Sequence, residues 1–153
     1  MQVKDIMVRE AKSCRPDTNL AEVVEIMWSY DCGALPVVDD GGKAVGMITD
    51  RNVCIAAGTR NQIPSEIKVS DVVPQSVYAC APEDDIRAAL RTMQTQKVRR
   101  LAVVDNDGLL QGILCLDDII LNAKKTTALS CEHLIETVKA ICDHPVPLRV
   151  RAA

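Results

Sequence analysis

One stretch of this chain is written twice. Val3–Val53 laid over Val69–Ile119, with a constant offset of 66 and no gap, gives eleven identities in 51 positions, where chance would give about three. The identities fall where a backbone turns or a side chain packs: Asp5/Asp71, Cys14/Cys80, Pro16/Pro82, Met27/Met93, Leu35/Leu101, the strand ends Val37-Val38-Asp39 and Val103-Val104-Asp105, Gly42/Gly108 and Gly46/Gly112. At 153 residues the whole chain suits one ordinary domain. A half-length piece is marginal, because small domains bury too little of the surface their unfolded chain exposes. Two halves sharing one core satisfy both facts.

Each copy reads β-α-β-β-α, an α/β (α+β) unit. A short extended piece precedes Pro16 or Pro82, and a helix follows whose first turn carries Asp17-Thr18-Asn19 or Glu83-Asp84-Asp85, residues that cap and favour a helix N-terminus. Next come strands Ala34–Asp39 and Arg100–Asp105, turns at Asp39–Gly42 and Asp105–Gly108, and second strands Ala44–Ile48 and Leu109–Leu114. A last helix starts at Thr49 or Cys115, and Gly58 ends the first copy of it. The organisation is a first repeat over 1–60, a linker over 61–68, a second repeat over 69–125, and a C-terminal helix with its tail over 126–153.

The first repeat's helix spreads Leu20, Val23, Val24, Ile26, Met27, Trp28 and Tyr30 over an arc of about 200°, twice the ~100° that one buried face requires. Its counterpart carries only the narrow stripe Ile86, Ala89, Leu90 and Met93. The excess predicts a homodimer contact anchored by Trp28, the alternative being cover by the C-terminal segment. That segment predicts a helix capped by Ser130, with Cys131, Leu134, Ile135, Val138, Ile141 and Cys142 on one face and a stop at Asp143-His144-Pro145.

A net charge of −3 and a pI near 5.4 give no attraction to nucleic acid or anionic membranes. Trp28, Tyr30 and Tyr78 are the only aromatics, too few for base stacking. No run approaches the ~20 apolar residues of a membrane span, and the N-terminus opens without a signal core, so a cytoplasmic protein is expected. Seven cysteines, an odd count without Cys-x-x-Cys, read as reduced packing thiols. Cys131-x-His133 and Cys142-x-His144 hint at zinc. Eleven helical residues rise about 16 Å, though, too far for one ion on a straight helix, so no metal is expected. No nucleophile elbow or phosphate loop is present, and the chain reads as a non-enzyme.

Gly33-Ala34-Leu35-Pro36-Val37-Val38-Asp39 followed by Gly46-Met47-Ile48-Thr49-Asp50-Arg51-Asn52 resembles the CBS (cystathionine β-synthase) domain. Val98-Arg99-Arg100-Leu101-Ala102-Val103-Val104-Asp105 with Gly112-Ile113-Leu114-Cys115-Leu116-Asp117-Asp118 resembles it again. Tandem copies imply a Bateman module, a pseudo-symmetric pair with two clefts between its repeats. The resemblance further implies a regulatory module that binds an adenosine-containing ligand (AMP, ADP, ATP, S-adenosylmethionine or NAD(H)) and signals by conformational change. No separate cofactor is implied, and a regulated protein partner is left unidentified. A ligand-independent dimerising scaffold and a thiol or metal sensor on the tail are the alternatives.

A hydroxyl at a strand-to-helix junction and an oxygen three residues later sit together at a helix start, a grip for ribose. Those positions are Thr49 and Asn52 in the first repeat, and Cys115 and Asp118 in the second. Both depart from the family's Ser/Thr-plus-Asp pattern, since an amide accepts through one oxygen and a thiol bonds feebly. The position that often faces ligand phosphate in the family maps to Gly33 and Arg99, so only the second cleft is expected to carry charge. There Arg99, with Arg100 and Lys97 nearby, is expected to hold phosphate oxygens. Leu35, Pro36, Val37, Leu101, Ala102 and Val103 are expected to wall the base.

Overall fold

The computed structural model describes residues 1–73, 76–122 and 130–143. Each repeat centres on an antiparallel hairpin: β2 (Ala34–Val38) with β3 (Ala44–Thr49), and β5 (Arg100–Val104) with β6 (Leu110–Cys115). The registers correspond, Ala34 opposite Thr49 and Arg100 opposite Cys115, and both ladders shift at their last pair. The turns correspond as well. Asp39 Oδ1 accepts the N–H groups of Gly41 and Lys43, both at 2.9 Å, while Asp105 Oδ1 accepts those of Asp107 at 3.0 Å and Leu109 at 2.9 Å. Each turn then needs a residue at positive φ, which Gly42 (φ 80°) and Gly108 (φ 82°) supply without a Cβ clash.

Helices α1 (Leu20–Ser29) and α3 (Ile86–Gln96) precede the hairpins, and α2 (Asp50–Thr59) and α4 (Leu116–Asn122) follow them. Asn19 caps α1 by accepting the Glu22 N–H at 3.0 Å, and Asp85 caps α3 by accepting that of Arg87 at 2.9 Å. Helix α2 runs past Gly58 to Thr59, one residue beyond the stop expected from sequence; a Cβ on Gly58 would meet open space, so nothing there requires glycine.

The repeats exchange their leading segments. Val3 and Lys4 donate to the carbonyls of Asp84 (2.9 Å) and Pro82 (2.8 Å), and Val69 and Ser70 donate to those of Thr18 and Pro16 (both 2.9 Å). Strand β1 (Val8–Arg9) lies antiparallel on β6, and β4 (Ala79–Cys80) lies parallel to β5, giving the order β1-β6-β5-β4. In the first repeat Cys14 makes a single parallel bridge to Val37 where the second has β4. Gly112 lets β1 approach, since a Cβ there would overlap the Val8 carbonyl. Two aliphatic cores result, with Val3 in the second repeat's and Ile67, Val69 and Val73 in the first's. Between them Ala44 donates to Gly108 and Leu110 to Gly42, both at 3.1 Å, which ties the two turns together.

The C-terminal helix α5 (Cys131–Cys142), capped by Ser130, packs on α3 and buries Leu134 and Ile141 in the second core. Its apolar face is narrower than expected, because Cys131, Ile135 and Cys142 are exposed and Thr137 is buried with its hydroxyl on the His133 carbonyl at 2.9 Å. It therefore covers α3 rather than α1. On α1, Leu20, Val23 and Met27 are buried, while Val24, Trp28 (87% exposed) and Tyr30 are exposed. The expected stop at Asp143 holds, its N–H donating to Lys139 at 2.9 Å; His144, Pro145 and the rest of the tail lie outside the described residues.

Candidate functional site

The two strand-to-helix junctions are built alike. The first N–H of α2, from Asp50, donates to the Gly33 carbonyl at 3.2 Å, and the first N–H of α4, from Leu116, donates to that of Arg99 at 2.9 Å. The residue before each first hairpin strand is thus fastened to the start of the helix after the second. Local sequence then makes the junctions chemically different.

In the first repeat Thr49 and Asn52 satisfy each other. Asn52 Oδ1 accepts the Thr49 N–H at 3.0 Å and its hydroxyl at 2.6 Å, and the Asn52 N–H donates to Thr49 Oγ1 at 3.3 Å. This reciprocal cap is a strong helix start. With Oδ1 accepting twice, what the amide has left to offer a ligand is its N–H groups, which are donors only. In the second repeat Asp118 Oδ2 accepts the Cys115 N–H at 2.8 Å, and a carboxylate retains further acceptor capacity. Burial raises the pKa of Asp118, the Cys115 N–H opposes that shift, and Asp117 adds to it. Burial pushes the Cys115 thiol up to about 11, with Asp118 adding and Arg100 opposing. The thiol therefore stays neutral and is a weak partner for a ligand.

The arginines divide. Arg99 is exposed, with its backbone fixed at the α4 start; Arg100 is half-buried opposite Cys115. Lys97 turns elsewhere, its Nζ donating to the Asp143 carbonyl at 2.6 Å and lying 3.5 Å from that carboxylate. Arg99, Arg100, Cys115 and Asp118 are thus brought to one junction. The apolar wall residues are not gathered in the same way. Side chains of Leu35 and Val37 lie in the first core and those of Leu101 and Val103 in the second, because alternate strand residues point to opposite faces. Pro36 and Ala102 fall on the other face, buried but outside both cores.

Two features escape a reading of the sequence. The Arg100 guanidinium lies beside the first repeat: a Cβ on Gly33 would stand 3.3 Å from its Nη2 and 3.0 Å from Asp50 Oδ2. No sequence signal announces that crossing. An apolar groove of about 320 Å³ also lies between α4 and α5, lined by Ile120, Leu134, Ile135 and Val138. Among the described residues no group of three His, Cys, Asp or Glu side chains forms a metal set, and no helix is long and apolar enough to cross a membrane.

Comparison with known proteins bears on the fold and on the junctions. The family model described as CBS domain matches residues 3–58 and 69–125. The CBS domain-containing protein YhcV of Bacillus subtilis is 32% identical over 123 residues, covering 78% of this chain and 84% of the relative. The inosine-5'-monophosphate dehydrogenase of Methanocaldococcus jannaschii is 35% identical over 122 residues, which is 78% of this chain but only 23% of that enzyme. The crystal structure of CBSX2 in complex with AMP superposes with a TM-score of 0.71 at 27% identity, covering 81% of this chain and 96% of the other. Two matched copies in register, each centred on the same antiparallel hairpin, mean that this chain belongs to the CBS domain family as a tandem pair.

Proposed function

We propose that the chain is a non-catalytic regulatory module whose second-repeat junction binds an adenosine-containing ligand. The observation that carries this reading is the placement of Asp118 at the start of α4, its carboxylate anchored by the Cys115 N–H with acceptor capacity left for two ribose hydroxyls. Arg99, fastened to the same helix start, adds the cation that a phosphate requires. The AMP complex of CBSX2 supports the ligand class. We read the first-repeat junction as a helix cap, because Thr49 and Asn52 already bond each other. Signalling follows if ligand favours one arrangement of the repeats over another, since equal affinity for both would shift nothing. Seven unpaired thiols fit a cytoplasmic setting.

Thermal unfolding of the full chain with AMP, ADP, ATP, S-adenosylmethionine and NADH tests the proposal. A ligand at 100 times its Kd stabilises by about 2.7 kcal/mol, and Asp118→Ala and Arg99→Ala should each reduce that shift. Unchanged melting with every compound would leave the dimerising scaffold as the better reading.

A further inference from the structure

Val24 of α1 and Leu90 of α3 are counterparts at the offset of 66, yet Val24 is 44% exposed and Leu90 only 4%. The difference is α5, which packs on α3 and leaves α1 bare. One turn after Val24, Trp28 is the most exposed large apolar side chain among the described residues. The charged side chains of α1 are Glu22 and Glu25, both acidic and both exposed. Helix α5, in covering α3, also creates a hollow against α4. Its walls are apolar, and among the described residues Lys139 is the one charged side chain that lines it. Neither Glu25 nor Lys139 forms an ion pair among those residues. The first repeat thus carries a protruding indole beside a carboxylate, and the second carries an apolar groove beside an ammonium group. Trp28, being exposed, does not fill the groove of its own chain.

We propose that the groove between α4 and α5 receives Trp28 of a second copy, and that two copies pair head to tail, the first repeat of each against the second repeat of the other. A large aromatic side chain seated in a pocket is the common form of a binding hot spot. The groove, about 320 Å³, lies near the lower end of the size range of small-molecule pockets, which suits one indole rather than a whole helix. Glu25 stands three residues before Trp28, and Lys139 four after Ile135, so on each helix the charge adjoins the apolar contact. Opposite charges then meet at the rim and fix the orientation. Knob and groove lie on different repeats, so each copy offers what the other lacks, and the two contacts form together about a two-fold axis. Pairing of α1 with α1 would instead press Glu22 and Glu25 against the same acidic residues.

Sedimentation equilibrium of the full chain, with circular dichroism melts of every variant, tests the arrangement. Trp28→Ala removes the knob and Ile135→Glu blocks the groove. Both positions are exposed, so the folds should survive. Each variant alone should dimerise at least tenfold more weakly than the parent. An equimolar mixture of the two should recover part of the affinity, because the Trp28 of one chain still meets an intact groove on the other. Glu25→Lys and Lys139→Glu should each weaken the dimer about two- to fivefold, and the chain carrying both changes should regain the parent affinity. An Ile135→Glu chain that dimerises as tightly as the parent, or a mixture no tighter than its components, overturns the proposal. So does a charge-reversed pair that fails to recover, or a monomeric parent.

Discussion

Val3 and Val69 occupy the same place in the two repeats, and each is buried in the core built by the other. The hydrogen bonds beside them are equally reciprocal, so neither repeat owns all of its own interior. Separate expression of residues 1–66 and 67–153 should therefore yield two unfolded fragments. Val3→Ala should lower the stability of the whole chain by about 2 kcal/mol, from two lost methyl groups and the space they leave. Amide exchange that quickened only in the first repeat of the variant, with the second unaffected, would refute the exchange.

Gly112 is the position where a side chain cannot be added. A methyl group there overlaps the Val8 carbonyl, so Gly112→Ala should part β1 from β6. A fall of several degrees in melting temperature is expected, with faster proteolysis near residues 8–12. A variant as stable as the parent would mean that β1 is not seated on β6 in solution.

Thiol chemistry should separate the seven cysteines by place. Burial pushes Cys14 and Cys80 up to about 12 and Cys115 up to about 11, while Cys54, Cys131 and Cys142 are exposed. Only thiolates react readily. Alkylation of the native protein at neutral pH, followed by mass spectrometry, should mark the three exposed cysteines first and reach Cys14 and Cys80 only on unfolding. Rapid labelling of Cys14 in the folded chain would contradict the burial described.

The carboxyl of Asp118 should leave a signature in the acid limb of stability. Its folded pKa is raised, chiefly by burial, so the folded chain holds this proton more tightly than the unfolded chain does. The favourable contribution is complete below the unfolded value, about 3.9, and is lost as pH climbs through the folded value. Asp118→Asn removes the titration and keeps an acceptor for the Cys115 N–H. The melting temperature of the variant relative to the parent should therefore increase with pH through the acidic range; a constant difference would show that Asp118 titrates as an ordinary exposed acid.

Self-association through α1 is the remaining expectation. Trp28 and Val24 stand exposed where α3 is covered by α5, and we propose a second copy as their cover. Sedimentation should show a dimer that Trp28→Ala weakens at least tenfold. A monomeric parent, or an equally tight variant, would remove the idea.

Hairpins, helices and their order were legible because turn chemistry and apolar period are local properties: Asp39, Gly42, Asp105 and Gly108 announce their turns. The junction residues were legible for the same reason, since Thr49 and Asn52, or Cys115 and Asp118, are three apart at a helix start. The strand faces were not. Leu35-Pro36-Val37 and Leu101-Ala102-Val103 are buried on both faces, and a continuous apolar run does not tell which residues meet the core. The exchange of leading segments, the seat of α5 on α3 and the crossing of Arg100 to Gly33 are long-range choices between similar surfaces, which spacing along the chain does not encode.

The paired bonds Ala44 to Gly108 and Leu110 to Gly42 join the hairpins at their tips, while Gly33 and Arg100 stand at the opposite ends of β2 and β5. Five strand residues separate the two levels, about 17 Å of stiff lever. With the tips joined, any change in the angle between the two hairpins, a scissoring, is smallest at the turns and largest at the helix starts. Whatever seats itself there acts at the long end of the arm, where a given pull exerts its greatest torque on the angle between the blades.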